Sequence, residues 1–204
     1  MDELAAVLVA AGDDGFLNAL ARFTRLGDDA CAALLAMVAG EVEPPPTGAP
    51  GAHPRDVMED VMDLVVVAAR QWPDRFEAVV AASPALRRHS MAVRALSELG
   101  TPTSEAILVD AARERAAGNG FLRETAVRAL LVRRSRALTD LLPALLGDRH
   151  DMARAAAVDA AFRYGDDRSL PALRRLADNP RRKPRERERA HAAITKIGRR
   201  ATTS

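Results

Sequence analysis

Small and apolar residues recur along the second half of the chain at a helical spacing that itself repeats. Ala92, Ala126, Ala157 and Ala190 share one column, Ala95, Ala129, Ala160 and Ala193 follow three residues on, and Leu96, Leu130, Ala161 and Ile194 one further. An i, i+3, i+4 stripe of this kind marks one face of a helix, and its small side chains let neighbouring helices approach closely. The first-column alanines are 34, 31 and 33 residues apart. That period predicts stacked helical pairs, each burying its apolar face against the next.

A second apolar stretch follows each of these helices, clearest at Leu138, Leu141, Leu142, Leu145 and Leu146, which fall on one helical face. The string LPAL occurs there and again at Leu170 to Leu173. Proline lacks an N–H and belongs in the first turn of a helix, so Pro143 and Pro171 are both expected to mark helix starts. Gly100, Ser135 and Gly165 with Asp166 and Asp167 separate the paired helices, and Gly147 with Asp148 or Asn179 with Pro180 follow the second helices. Three residues before the alanine column stand His89, Arg123, Arg154 and Arg187. Recurrence in register predicts a structural ladder of guanidinium groups bonded to carboxylates or helix-end carbonyls, with Asp148 and Asp151 as candidate partners.

The segments RETAVRALLVRRSRALTDLLPALLGD and MARAAAVDAAFRYGDDRSLPALRRLADNP resemble the HEAT-repeat family, in the short bacterial form also found in phycobilin lyases. The resemblance covers residues 84–199. It implies an all-α fold, a right-handed α-solenoid of antiparallel helix pairs whose second helices line a concave face. Its motifs are informative about fold and nearly silent on function. Residues 1–83 fit the pattern less well. Ala19 to Val38 reads as one further helix pair, and Val57 to Ala82 as another broken at Trp72 and Pro73. Residues 43–54 between them are too rich in proline and glycine for a helix and are expected to form an exposed insertion. The whole chain, 1–204, is expected to be a single HEAT-like domain. Its charged last helix, 184–199, would cap the open end of the core.

Composition narrows the picture. A hydrophobic content of 48% with only 3% aromatic residues makes the core aliphatic. The longest purely apolar run, Leu64 to Ala69, is far shorter than a bilayer span. Asp2 and Glu3 precede the apolar AAVLVAA, which is therefore expected to be a buried helix in a cytoplasmic protein rather than a signal peptide. Cys31, the sole cysteine, is expected to be a small buried hydrophobe. The net charge of +2 conceals a split: residues 1–120 hold 10 basic and 18 acidic side chains, residues 121–204 hold 20 basic and 10 acidic. Sequence order becomes spatial order in a solenoid, so its ends would differ in sign.

No motif points to catalysis, a cofactor or a metal. The histidines at 53, 89, 150 and 191 are scattered, and Glu188 with His191 has no second such pair. Iron-binding HEAT-repeat hydroxylases carry repeated His-Glu dipeptides, and this chain has none. There is no Gly-x-Ser-x-Gly and no Gly-rich phosphate loop. His150 beside Asp151 reads as a helix start. The expected function is a protein-binding scaffold, with Arg174, Arg175, Arg181, Arg182 and Lys183 as candidate contacts to an acidic target. The rival is nucleic-acid binding in the manner of AlkD-like DNA glycosylases. Against it, Trp72 and Phe76 lie in the acidic half, and Tyr164, seven residues after Ala157, is expected to pack into the core. Only Phe121 and Phe162 then remain as aromatics in the basic half. Arginine outnumbers lysine 28 to 2, so arginine alone says little about phosphate.

Overall fold

A computed structural model describes residues 21–41, 54–116 and 118–201. The expected helix in AAVLVAA and the insertion up to residue 53 lie outside the described residues. All regular structure among the described residues is helical. They form two compact units, which meet in sequence between Ser104 and Glu105.

In the first unit, a helical turn at residues 21–23 leads through Gly27 into α1 (Asp28–Val38). Helices α2 (Pro54–Gln71) and α3 (Pro73–Ala82) follow. The break between them falls where the sequence places it, because Pro73 has no N–H to donate and takes the first helical position of α3. Trp72 at the break meets Phe23 edge-on, with ring centroids 5.3 Å apart. The short α4 (Pro84–Arg87) is capped by the Ser83 hydroxyl, which accepts the Leu86 N–H. Then come α5 (Ser90–Ala95) and a 3-10 turn, Leu96–Glu98. α1 packs on α2 and α3, and α2 on α3 and α5, around an aliphatic core that includes Leu34, Leu64, Ala68 and Val80.

The boundary falls within α6 (Pro102–Arg113). The second unit continues with α7 (Gly120–Val132), α8 (Ala137–Leu145), α9 (Asp151–Tyr164), a 3-10 turn at Asp167–Ser169, α10 (Leu170–Ala177) and α11 (Pro184–Ala201). α7 packs on α8 and α9, α8 on α9, and α11 on both α9 and α10. The first-column alanines 92, 126, 157 and 190 are fully buried, and so are the alanines three residues on, apart from slight exposure at Ala129. Tyr164 differs from expectation. It is half-buried at the C-terminal end of α9, where the helix is leaving the core.

The second helices reveal a register that the LPAL strings conceal. Buried residues are Ser104, Ile107, Leu108, Ala111 and Ala112 at α6; Leu138, Leu141, Leu142, Leu145 and Leu146 at α8; and Ser169, Ala172, Leu173, Leu176 and Ala177 at α10. The three sets are offset by 34 and then 31 residues, matching the first-helix alanines, whereas the LPAL strings are 28 apart. Leu142 therefore corresponds to Leu173 rather than to Leu170. Pro171 does lie in the first turn of α10, but Pro143 lies inside α8, contrary to the expectation that it starts a helix. The physical reason is burial: the leucine stripe beginning at Leu138 holds α8 helical through a proline that removes one backbone bond.

α7 ends in a Schellman motif, with Ser135 N–H donating to Leu130 C=O at 3.0 Å and Arg134 N–H to Leu131 C=O at 3.2 Å. The left-handed position falls on Arg134, at φ 55°. Gly40, at φ 74°, serves the same motif at the end of α1 without the Cβ penalty.

Candidate partner-binding surfaces

The recurring arginines are spent on the fold. Arg123 grips both carboxylate oxygens of Asp148, Nε at 2.5 Å and Nη2 at 2.9 Å, while its Nη1 donates to the Glu114 carbonyl at 2.8 Å. Arg154, 1% exposed, grips both oxygens of Glu186, donates to Asp151 at 2.6 Å and to the Asp148 carbonyl at 2.7 Å. Arg187 donates to the Ala177 carbonyl at 3.1 Å. Each arginine thus satisfies an orphan carbonyl near the end of the preceding second helix, and the first two also reach an acid of the following pair. Asp148 closes the chain of contacts by accepting the His150 N–H at 2.8 Å. Burial works against its charge, but the Arg123 guanidinium and the His150 N–H prevail and hold the carboxyl below its usual range. Asp151 is held low by its bonds to Arg154 and Lys183. His89, in the same column, makes no such bond: its Nδ1 is buried without a partner, and burial lowers the ring's pKa.

The five basic residues singled out in the sequence do not behave as one patch. Arg174 and Arg175 project from α10 opposite the buried Ala172, Leu173, Leu176 and Ala177, exposed and without an ion pair among the described residues. Arg181 is also exposed, its backbone N–H bonded to the Asn179 side chain. Arg182 and Lys183 instead turn toward Asp151, at 4.0 and 3.2 Å, and extend the Arg154 network at the start of α9. Their charge is partly compensated, so free basic character rests with Arg174, Arg175 and Arg181.

The structure also shows what residue patterns did not. Phe121 and Met152 share one position of the repeat, five residues before the column alanine, and are 54% and 46% exposed. Phe162 is exposed on α9 with the Lys196 ammonium 4.1 Å from its ring centre. A cavity of about 610 Å³, lined in part by Arg113, Arg149 and Leu141, has the Arg123–Asp148 rung in its wall. Gly120 is required here by close approach, since a Cβ would overlap the His150 ring. Phe121 and Phe162 were visible in the sequence as aromatics of the basic half, but neither their exposure nor the other features were legible there, because the repeat fixes which positions are buried and leaves the exposed ones free to vary.

The buried Cys31 thiol is pushed up to about 12, chiefly by burial, which leaves it protonated and unreactive at neutral pH. Among the described residues no three of His, Cys, Asp and Glu come together as a metal site, and no helix is long and apolar enough to cross a membrane. No family model, no curated protein and no solved structure matches the chain.

Proposed function

We propose that the chain is a non-catalytic, cytoplasmic HEAT-like module, a right-handed solenoid that binds an acidic protein partner through the exposed face of its second helices. The supporting observation is the division of labour among arginines. Those that recur in register are engaged in the ladder, Arg123 and Arg154 buried and Arg187 half-buried, while Arg174 and Arg175, which have no counterpart in α8, make no ion pair among the described residues at the Pro143 and Ala144 positions of the repeat. Unpaired guanidinium groups on a rigid helix lose little on meeting carboxylates, and their field steers encounter.

The test is chemical cross-linking of the tagged full-length protein in its native cell lysate, with Arg174→Glu/Arg175→Glu as the comparison. The reading expects an acidic protein that the double variant loses. A fluorescent DNA duplex titrated between 50 and 300 mM salt decides the rival, on the order of conditions at which phosphate contacts show steep salt dependence. Duplex binding that the same double variant weakens would replace the scaffold reading with a nucleic-acid one.

A further inference from the structure

We infer that the furrow between α9 and α11 is a docking groove for an acidic amphipathic helix of a partner protein. This surface is separate from Arg174 and Arg175 and does not depend on what they bind.

The two helices lie side by side and run the same way. Arg154 joins their N-terminal ends through Glu186, Arg189 bonds Asp159 at 3.3 Å midway, and Arg200 donates to the Arg163 and Phe162 carbonyls at 2.9 and 3.1 Å near the far end. Two openings lie along this seam. One, of about 230 Å³, is lined by Asp151, Ala155, Val158, Lys183, Arg185, Glu186 and Arg189. The other, of about 570 Å³, is lined by Phe162, Ala192, Thr195, Lys196, Arg199 and Arg200. On α9 the lining residues 151, 155, 158 and 162 form a single i, i+4, i+7, i+11 stripe. On α11 residues 185, 189, 192, 196 and 199 do the same. The openings thus lie in line along the same two helix faces, with the Arg189–Asp159 pair bridging the helices between them, and its exposed side chains part at little cost.

Its shape follows from the repeat. Two residues before the column alanine, α7 and α11 carry Glu124 and Glu188, whereas α9 carries Ala155. The missing side chain leaves a floor at Ala155, with Val158 buried beneath it, that a neighbouring helix can approach closely. From Arg185 to Arg199 the α11 stripe spans about 21 Å at 1.5 Å per residue, the length of roughly four helical turns. Arg185, Arg189 and Lys196 recur along it at intervals that match acidic residues repeated every turn or two on an opposing helix.

Charge selects the occupant. Asp151 and Glu186 at the near end are already engaged by Arg154 and Lys183, which leaves the α11 wall positive. A nucleic-acid backbone fits less well, because Asp159 interrupts the cations and Phe162, the aromatic lining the furrow, has its ring covered by Lys196. A helix with acids along one edge and small apolar residues along its centre satisfies both walls.

The probe is a fluorescein-labelled 18-residue peptide with Glu facing α11 and Ala or Leu toward the floor, alongside a scrambled peptide of equal composition and a DNA duplex. Fluorescence anisotropy with the full-length protein should show the amphipathic peptide binding at least about tenfold tighter than the scramble. Ala155→Glu, which installs the side chain both neighbouring repeats tolerate, should abolish the preference. Arg185→Glu/Lys196→Glu should weaken binding about tenfold, and Arg174→Glu/Arg175→Glu should leave it unchanged. Circular dichroism melts confirm that each variant folds, and the Arg185→Glu/Lys196→Glu comparison decides alone if Ala155→Glu does not. Equal affinity for the scramble, no binding of either peptide at 100 μM, or tighter binding of the duplex through the same cations would overturn the proposal.

Discussion

Arg154 concentrates the energetics of the second unit in one side chain. It is buried, meets two carboxylates and caps two carbonyls, so its removal strands Glu186 in a largely desolvated place. Breaking one partner of a buried ion pair costs several kcal/mol, and Arg154→Ala is expected to lower unfolding free energy by about 3 kcal/mol in urea titrations. Arg187→Ala, which among the described residues forfeits the bond to the Ala177 carbonyl, should cost about 1 kcal/mol. The ladder also sets the response to acid. Asp148 and Asp151 have folded-state pKa values below the ordinary range, so their contribution is complete above about pH 4 and is lost as pH falls through the depressed values. Asp148→Asn should therefore be less stable than the parent at pH 7, and the gap, followed by circular dichroism, should close below pH 4. The arginine column was visible in the sequence as a ladder and Asp148 was identifiable as a partner. Glu186 was not, because it sits 32 residues from Arg154 and only packing of α11 on α9 brings it near.

At the level of elements, two prolines in the same four-letter context take opposite roles. Pro171 occupies the first turn of α10, where no intrahelical bond is lost, while Pro143 is inside α8 and deprives Thr139 of a donor. Pro143→Ala should restore that bond and raise stability by about 1 kcal/mol. Pro171→Ala should lower it by about 0.5 kcal/mol, through the freer unfolded chain. Thermal denaturation of both variants reads the contrast, and equal shifts would show that α8 had adapted fully to its proline. The identity of letters misled here because LPAL is a local string, whereas helix register is fixed by which five residues enter the core. Burial at 104, 138 and 169 and at their successors follows the alanine period, which was the better guide all along.

For the whole molecule, α11 covers α9 and α10 through Ala190, Ala193 and Ile197. Ending the chain after Lys183 should expose the apolar faces of both helices and remove the Glu186 carboxylate from Arg154. The truncated protein is expected to self-associate in light scattering and to melt at lower temperature, where a surface appendage would leave both unchanged.

From its residues alone the chain determined that it is helical, where several helices begin or end, which alanines face inward, and that arginines recur for structural reasons. These follow from short-range periodicity and turn chemistry, which every segment carries within itself. Tertiary packing decided the rest: Pro143 inside a helix, Lys183 turned onto Asp151, Glu186 brought to Arg154, and Ala155 placed at the floor of a furrow. Each depends on side chains far apart in sequence meeting across helices, and on exposed positions that no repeat constrains.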